Sequence, residues 1–202
     1  MEINQLYDFI TTTEFKSPDT GNLFFPAYMF TYKPDEEYNI RKQIQNIKQR
    51  LERPKNFIDS MIFNIYEELI DFLKMQEIMG DNLLHLVFEK EEEEAQAEVI
   101  KYLKSKANST EFYQYIEKKV DNYKPANANL KLVFLLIYGF GTIYPFLRAS
   151  VFLNSFHKYL ERRDLKVIIF YPGSYKEGNY WLFDKINDKH LYRATWLNEF
   201  GV

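Results

Sequence analysis

Two nearly unbroken apolar runs interrupt a chain whose other hydrophobic positions mostly recur at helical spacing. Lys131–Tyr138 and Lys166–Tyr171 are rich in Val, Ile, Leu and Phe, and each ends at turn residues. Runs of this length fit strands buried on both faces of a parallel sheet. Between them, Pro145–Leu160 places Leu153, Phe156 and Leu160 at helical spacing. Pro145 suits a first helical turn, where no N–H is needed. Strand, helix and strand in this order predict a right-handed crossover joining parallel strands.

Upstream, Ile3, Leu6, Tyr7 and Ile10 predict a short helix within Met1–Thr12, and the cluster from Ser17 to Asn22 predicts a turn. Leu23–Tyr32 is the first strand candidate. Asp35 is placed to cap a helix with Glu36 and Glu37 in its first turn and Lys48, Arg50 and Arg53 near its end, matching the dipole at both termini. Ile40, Ile44, Ile47 and Leu51 form its apolar stripe, and Pro54 ends it. Phe57–Phe63 reads either as a second strand or as the start of a helix over Ile65–Met79, with Gly80 as terminator. From Asp81 to Tyr123 the pattern is helical. Leu84, Val87 and Phe88 line one face, Ile100 and Leu103 another, and Phe112, Ile116, Val120 and Tyr123 a third, with an N-cap at Asn108-Ser109-Thr110.

These elements predict a three-layer α/β fold. A mainly parallel sheet of about five strands forms one domain over residues 1–202, with 81–124 as a helical insertion. At 202 residues the chain can bury one sizeable core. Eighteen Phe and 16 Tyr make that core aromatic-rich. A net charge of −3 argues against a broad basic face for nucleic acid, whose non-specific affinity comes from phosphate neutralisation. The absence of cysteine removes disulfides and thiolate chemistry and suits a reducing cytoplasm. The N-terminus lacks the order of a signal peptide. The uncharged stretch Leu132–Leu147 is broken by Gly139, Gly141 and Pro145 and falls short of a membrane span.

Candidate chemistry gathers where the two apolar runs end. Gly139, Gly141 and Thr142 sit at the first exit, where backbone N–H groups and a helix dipole favour an anion. GFGTIYPF has no phosphate-binding lysine and is neither of the familiar glycine-rich phosphate motifs, so the glycines equally serve a tight strand-to-helix turn. Arg148 lies nearby in an otherwise apolar segment, suited to an anion or to a partner carboxylate, and Arg193 raises the same question in an expected strand over Leu191–Leu197. If both arginines converge near Tyr171–Tyr175, they form an anion or acidic-peptide pocket. Tyr171, Pro172, Gly173 and Tyr175 are expected as an exit loop at the same edge, where open α/β sheets hold ligands. With Tyr180 and Trp181, the tyrosines offer an aromatic surface to a protein, or a loop packed on its own sheet. Ser174 has no neighbouring base, and no metal carboxylate set or nucleophile–base pair is recognisable. His85, His157 and His190 lack ligand spacing relative to one another. Neither catalytic residues, a metal nor a cofactor is expected.

The same segments resemble the BrxB family of bacteriophage-exclusion (BREX) defence systems. GFGTIYPFLR followed by VFLNSF is similar to its glycine turn, Pro-Phe-hydrophobic-Arg and Leu-Asn motif, and IIFYPGSY to its strand ending in an aromatic-Pro-Gly pattern. Trp181-Leu182-Phe183, Leu191-Tyr192-Arg193-Ala194 and Tyr32-Lys33-Pro34-Asp35-Glu36-Glu37 match further family elements, so the likeness runs from about residue 23 to residue 197. Where the family pattern carries Ser-His after the arginine, this chain has Ala149-Ser150. The resemblance implies a non-enzymatic adaptor in a cytoplasmic phage-defence complex. Its partners would be a phosphatase-like protein, a large ATPase and an adenine-specific DNA methyltransferase. A degenerate nucleotide- or anion-binding module at Gly139–Thr142 is the alternative.

Overall fold

Both apolar runs lie side by side at the centre of the molecule. The computed structural model describes residues 1–17, 27–53, 58–78, 80–92, 96–124, 132–159, 165–188 and 194–200. In chain order these contain α1 (Ile3–Ile10), α2 (Thr13–Lys16), β1 (Ala27–Tyr32), α3 (Glu37–Leu51), β2 (Ile58–Asn64) and α4 (Ile65–Lys74). A small hairpin, β3 (Glu77–Ile78) and β4 (Asp81–Asn82), leads to α5 (Leu83–Glu92), α6 (Gln96–Ala107) and α7 (Thr110–Asp121). Then come β5 (Leu132–Tyr138), α8 (Phe140–Ile143), α9 (Ala149–Phe156), β6 (Leu165–Lys176), β7 (Asn179–Leu182), β8 (Ile186–Asp188) and β9 (Ala194–Trp196).

Five strands run parallel in the order β2-β5-β6-β1-β9, and β7 and β8 extend antiparallel from the far half of β6. Successive side chains leave a strand on opposite faces. Leu132, Phe134, Leu136, Ile168 and Phe170 therefore enter one core with α1 and the Ile40–Ile44–Ile47–Leu51 stripe of α3. Val133, Leu135, Ile137, Val167 and Ile169 enter a second core with α4, α7 and α9. The result is the expected three-layer α/β fold. Fully buried rings such as Phe134 and Phe170 each contribute about 2–3 kcal/mol by leaving water.

Helices α5, α6 and α7 share one outer layer with α4, α8 and α9. Ser109 caps α7 by accepting the Phe112 N–H at 3.2 Å, and Phe112, Ile116 and Val120 are wholly buried. Glu68 of α4 fastens α7 through Lys119 at 2.5 Å and Tyr115 at 3.1 Å. The expected α5 and α6 faces are only partly covered, with Phe88 and Ile100 about half exposed. Asp81 and Asn82 pair with β3 instead of opening a helix.

Several boundaries differ from the sequence expectation. Asp35 lies inside a single 3-10 turn and makes no side-chain cap; α3 begins at Glu37. The Phe57–Phe63 ambiguity resolves as strand followed by helix, and α4 stops at Lys74 because the chain turns into the β3–β4 hairpin, where Gly80 has φ +89. The expected helix from Pro145 begins at Ala149: Tyr144 is extended, as a residue before proline prefers, and the Tyr144–Pro145 bond is cis. Tyr171–Tyr175 is not an exit loop but the second half of the twelve-residue β6, turning through Glu177 and Gly178, both at positive φ. Pro26, Pro54, Leu160, His190 and Arg193 lie outside the described residues.

At the amino end of β6, Lys166 is 1% exposed. Its Nζ donates to backbone carbonyls at the end of α2, Phe15 O and Ser17 O, the latter at 2.9 Å. The Phe15 ring lies 4.8 Å away. Burial lowers the Lys166 pKa to about 8. No helix among the described residues is long and apolar enough to cross a membrane.

Candidate functional site

Parallel strands deliver their exits to one rim, and four meet here: β1 into α3, β2 into α4, β5 into α8, and β6 into its hairpin. The glycine turn is packed against its neighbours. Gly139 adopts φ +92, and a Cβ there would stand 2.3 Å from Asn64 Oδ1 at the start of α4, so only glycine fits. Above Gly141 lie Pro172 and the Phe183 ring, which a Cβ would meet at 3.0 and 2.9 Å. Gly173 lets the β7 backbone approach, since a Cβ would stand 2.0 Å from Trp181 O. Thr142 is exposed and accepts from Arg41 Nη2 at 3.4 Å across the rim. Arg41 is held by Glu37 at 2.8 Å, and Glu37 accepts the Tyr32 hydroxyl.

A carboxyl group does occupy a helix N-terminus at this rim, and it belongs to the protein. Asp188, at the end of β8, is 4% exposed. Its Oδ1 accepts the Ser150 hydroxyl at 2.5 Å, and Oδ2 the buried Tyr171 hydroxyl at 3.4 Å. The Ser150 backbone N–H, in the first turn of α9, also serves it. Burial raises the Asp188 pKa, opposed by the Ser150 hydrogen bonds, the Arg148 charge and Tyr171. Burial raises the Tyr171 pKa too, reinforced by Asp188. Ser150 thus helps hold a buried carboxyl group. In sequence, nothing local marks Asp188: its partners come from α9 and β6.

The tyrosines form an internal ladder more than a surface. Tyr171 packs edge-on against Tyr180 at 5.8 Å, Tyr180 against Tyr175 at 4.7 Å, and Tyr175 against Trp196 at 4.9 Å. Tyr171 and Tyr180 are buried, while Tyr175 and Trp181 remain half-buried.

Arg148, the residue preceding α9, is exposed. Its guanidinium lies 6.0 Å from the Tyr144 ring centroid. The expected convergence with Arg193 falls outside the described residues. What faces Arg148 instead is the corner between α6 and α7, where Asn108 Nδ2 donates to Phe146 O at 2.9 Å. Asp81 of β4 and His85 and Glu89 of α5 bring ligating atoms within 4.8 Å of one another, with His85 bonded to Asp81. Asp81 and Glu89 stand four positions to either side of His85, a spacing that distances between the histidines do not reveal.

A family model described as BREX protein BrxB matches residues 61–197. The BREX protein BrxB of Bacillus cereus (strain H3081.97) is 26% identical over 174 residues, covering 84% of this chain and 82% of that relative. No solved structure matches the chain.

Proposed function

Because this chain belongs to the BrxB family, and is thereby a component of a BREX defence system, we propose that it acts there as a non-catalytic adaptor binding protein partners at the carboxyl rim of its sheet. One observation carries this reading: the rim's polar chemistry is directed inward, while Arg148 is left facing solvent. Asp188 is engaged by Ser150 and Tyr171, Glu37 by Tyr32 and Arg41, and the glycine turn by Asn64, Pro172 and Phe183. A rim so consolidated is a rigid platform for recognition, with little ordering to lose on binding. For the nucleotide alternative at Gly139–Thr142, the geometry is unfavourable. α8 is a single turn, and the first turn of α9 already holds the Asp188 carboxylate.

Co-purification from cells carrying the neighbouring defence genes tests the adaptor reading. A tagged chain at native level should bring down the phosphatase-like, ATPase or methyltransferase component in stoichiometric amount. Recovery of the chain alone overturns it. Thermal denaturation with millimolar ATP or GTP should leave the midpoint unchanged, whereas ligand-linked stabilisation would restore the nucleotide reading.

A further inference from the structure

Between the α6–α7 corner and the segment Tyr144–Arg148 lies a cleft of about 310 Å³ at the rim's helical side. Lys104 and Arg148 stand on its walls, with Tyr144, Pro145, Phe146 and Val151 between them. Among the described residues, no carboxylate lines it. Neither cation forms an ion pair among the described residues. Asp188 acts on Arg148 only at longer range, from the buried side of α9. Val151 projects from α9 at 39% exposure, an apolar residue on a helix whose other hydrophobic side chains are buried. The chain as a whole is acidic, so this local surplus of positive charge runs against the balance of its surface.

We infer that this cleft receives an acidic, apolar-anchored segment of a protein partner. A partner carboxylate would sit between Arg148 and Lys104, and a neighbouring aliphatic or aromatic side chain against Val151, Phe146 and Tyr144. The guanidinium fork matches a carboxylate in two parallel hydrogen bonds, and Lys104 adds a second charge without fixing geometry. Tyr144, near the guanidinium, offers it a ring face and limits the conformations it loses on binding. The apolar floor selects a peptide over a free inorganic anion, because burying Val151 rewards only a ligand that brings its own hydrophobic group. The inference rests on the adaptor reading and names the chemistry of its partner.

Fluorescence anisotropy with the full chain tests it. The probe is a labelled peptide, Glu-Asp-Phe-Leu-Asp-Glu, compared with a twin in which every acid is replaced by its amide. The acidic peptide should bind at least tenfold more tightly than the twin. Arg148→Glu should weaken it at least tenfold with an unchanged melting midpoint, Lys104→Glu less, and Lys42→Glu on the exposed side of α3 not at all. Equal binding of the two peptides, an undiminished Arg148→Glu variant, an equal loss with Lys42→Glu, or no binding at millimolar peptide overturns the inference. So does a duplex oligonucleotide that binds more tightly with the same dependence on Arg148, which would make the cleft a nucleic-acid contact. Carrying Arg148→Glu/Lys104→Glu through the co-purification separates the two levels. Partners retained by this variant sink the cleft alone; partners absent with the unaltered chain sink the adaptor reading, whatever the peptide does.

Discussion

β6 buries a charged group near each of its ends, and the two ends treat them alike up to a point. At the amino end, Lys166 is held by carbonyls at the C-terminal end of α2; at the carboxyl end, Asp188 is held by the N-terminal turn of α9 and the Tyr171 hydroxyl. Asp188 meets the first turn of an eight-residue helix, whereas Lys166 meets only the free carbonyls that end the single-turn α2. The difference lies in what stands outside. Beyond Asp188, an exposed arginine and a lysine flank an open cleft, so consolidation of the interior leaves unmatched charge at the surface. The buried, hydrogen-bonded carboxyl group at this end knits the scaffold together, and recognition is left to groups that the scaffold does not need.

The sharpest way to break this comparison is to remove the buried carboxyl group of Asp188. Asp188→Ala leaves the Ser150 and Tyr171 hydroxyls and the α9 N-terminus without their partner and should cost about 3 kcal/mol in urea unfolding. Asp188→Asn keeps an acceptor for Ser150 and should stay within about 1 kcal/mol of the parent. Because the folded pKa is raised above its ordinary value of 3.8, the Asp188 contribution is largest below that pH and is lost as pH climbs through the folded pKa. Asp188→Asn should flatten that loss. A large penalty for the amide would mean that the charge itself, not the hydrogen bonding, holds the rim.

Titration sharpens the amino end. With the Lys166 pKa lowered to about 8, the unfolded chain binds the proton more tightly than the folded one between that value and 10.5. Stability should therefore rise with pH across this interval, by about 2 kcal/mol between pH 8 and 10, before tyrosine ionisation in the unfolded chain opposes it. In Lys166→Met that rise should vanish. A parent profile that is flat over the same interval would show that Lys166 is better solvated than its burial implies. The smallest effect belongs to the cleft: Arg148→Ala should change stability by less than about 0.5 kcal/mol, and a larger loss would place Arg148 in the scaffold and not on the recognition surface.

Local pattern was enough for the parallel β5–β6 pair and the α3 stripe, because continuous apolar runs and a fixed helical period each have one structural solution. It failed at Pro145 because proline fits a helix start and a turn equally well; the conformation of Tyr144 decided the matter. It failed at Tyr171–Tyr175 because Pro-Gly reads as a loop, whereas β6 exchanges parallel neighbours for β7 there and continues as strand. The glycines were correctly placed at the rim, but their tight packing depends on Asn64, Pro172 and Phe183, contacts that no spacing rule contains. Asp188 with Ser150, and Lys104 with Arg148, are pairs made by the fold alone. Lys104 becomes a cleft wall only once α6 and α9 are brought together.

The length of β6 has a mechanical consequence. One unbroken backbone passes from the middle of the sheet out into the β7–β8 hairpin, so the hairpin behaves as a stiff handle and not as a tethered flap. Pushing on its tip would load the interior ladder directly. Extra residues should be accommodated at Glu177-Gly178, the exposed apex, while a single residue added between Tyr171 and Ser174 would throw handle and sheet out of phase.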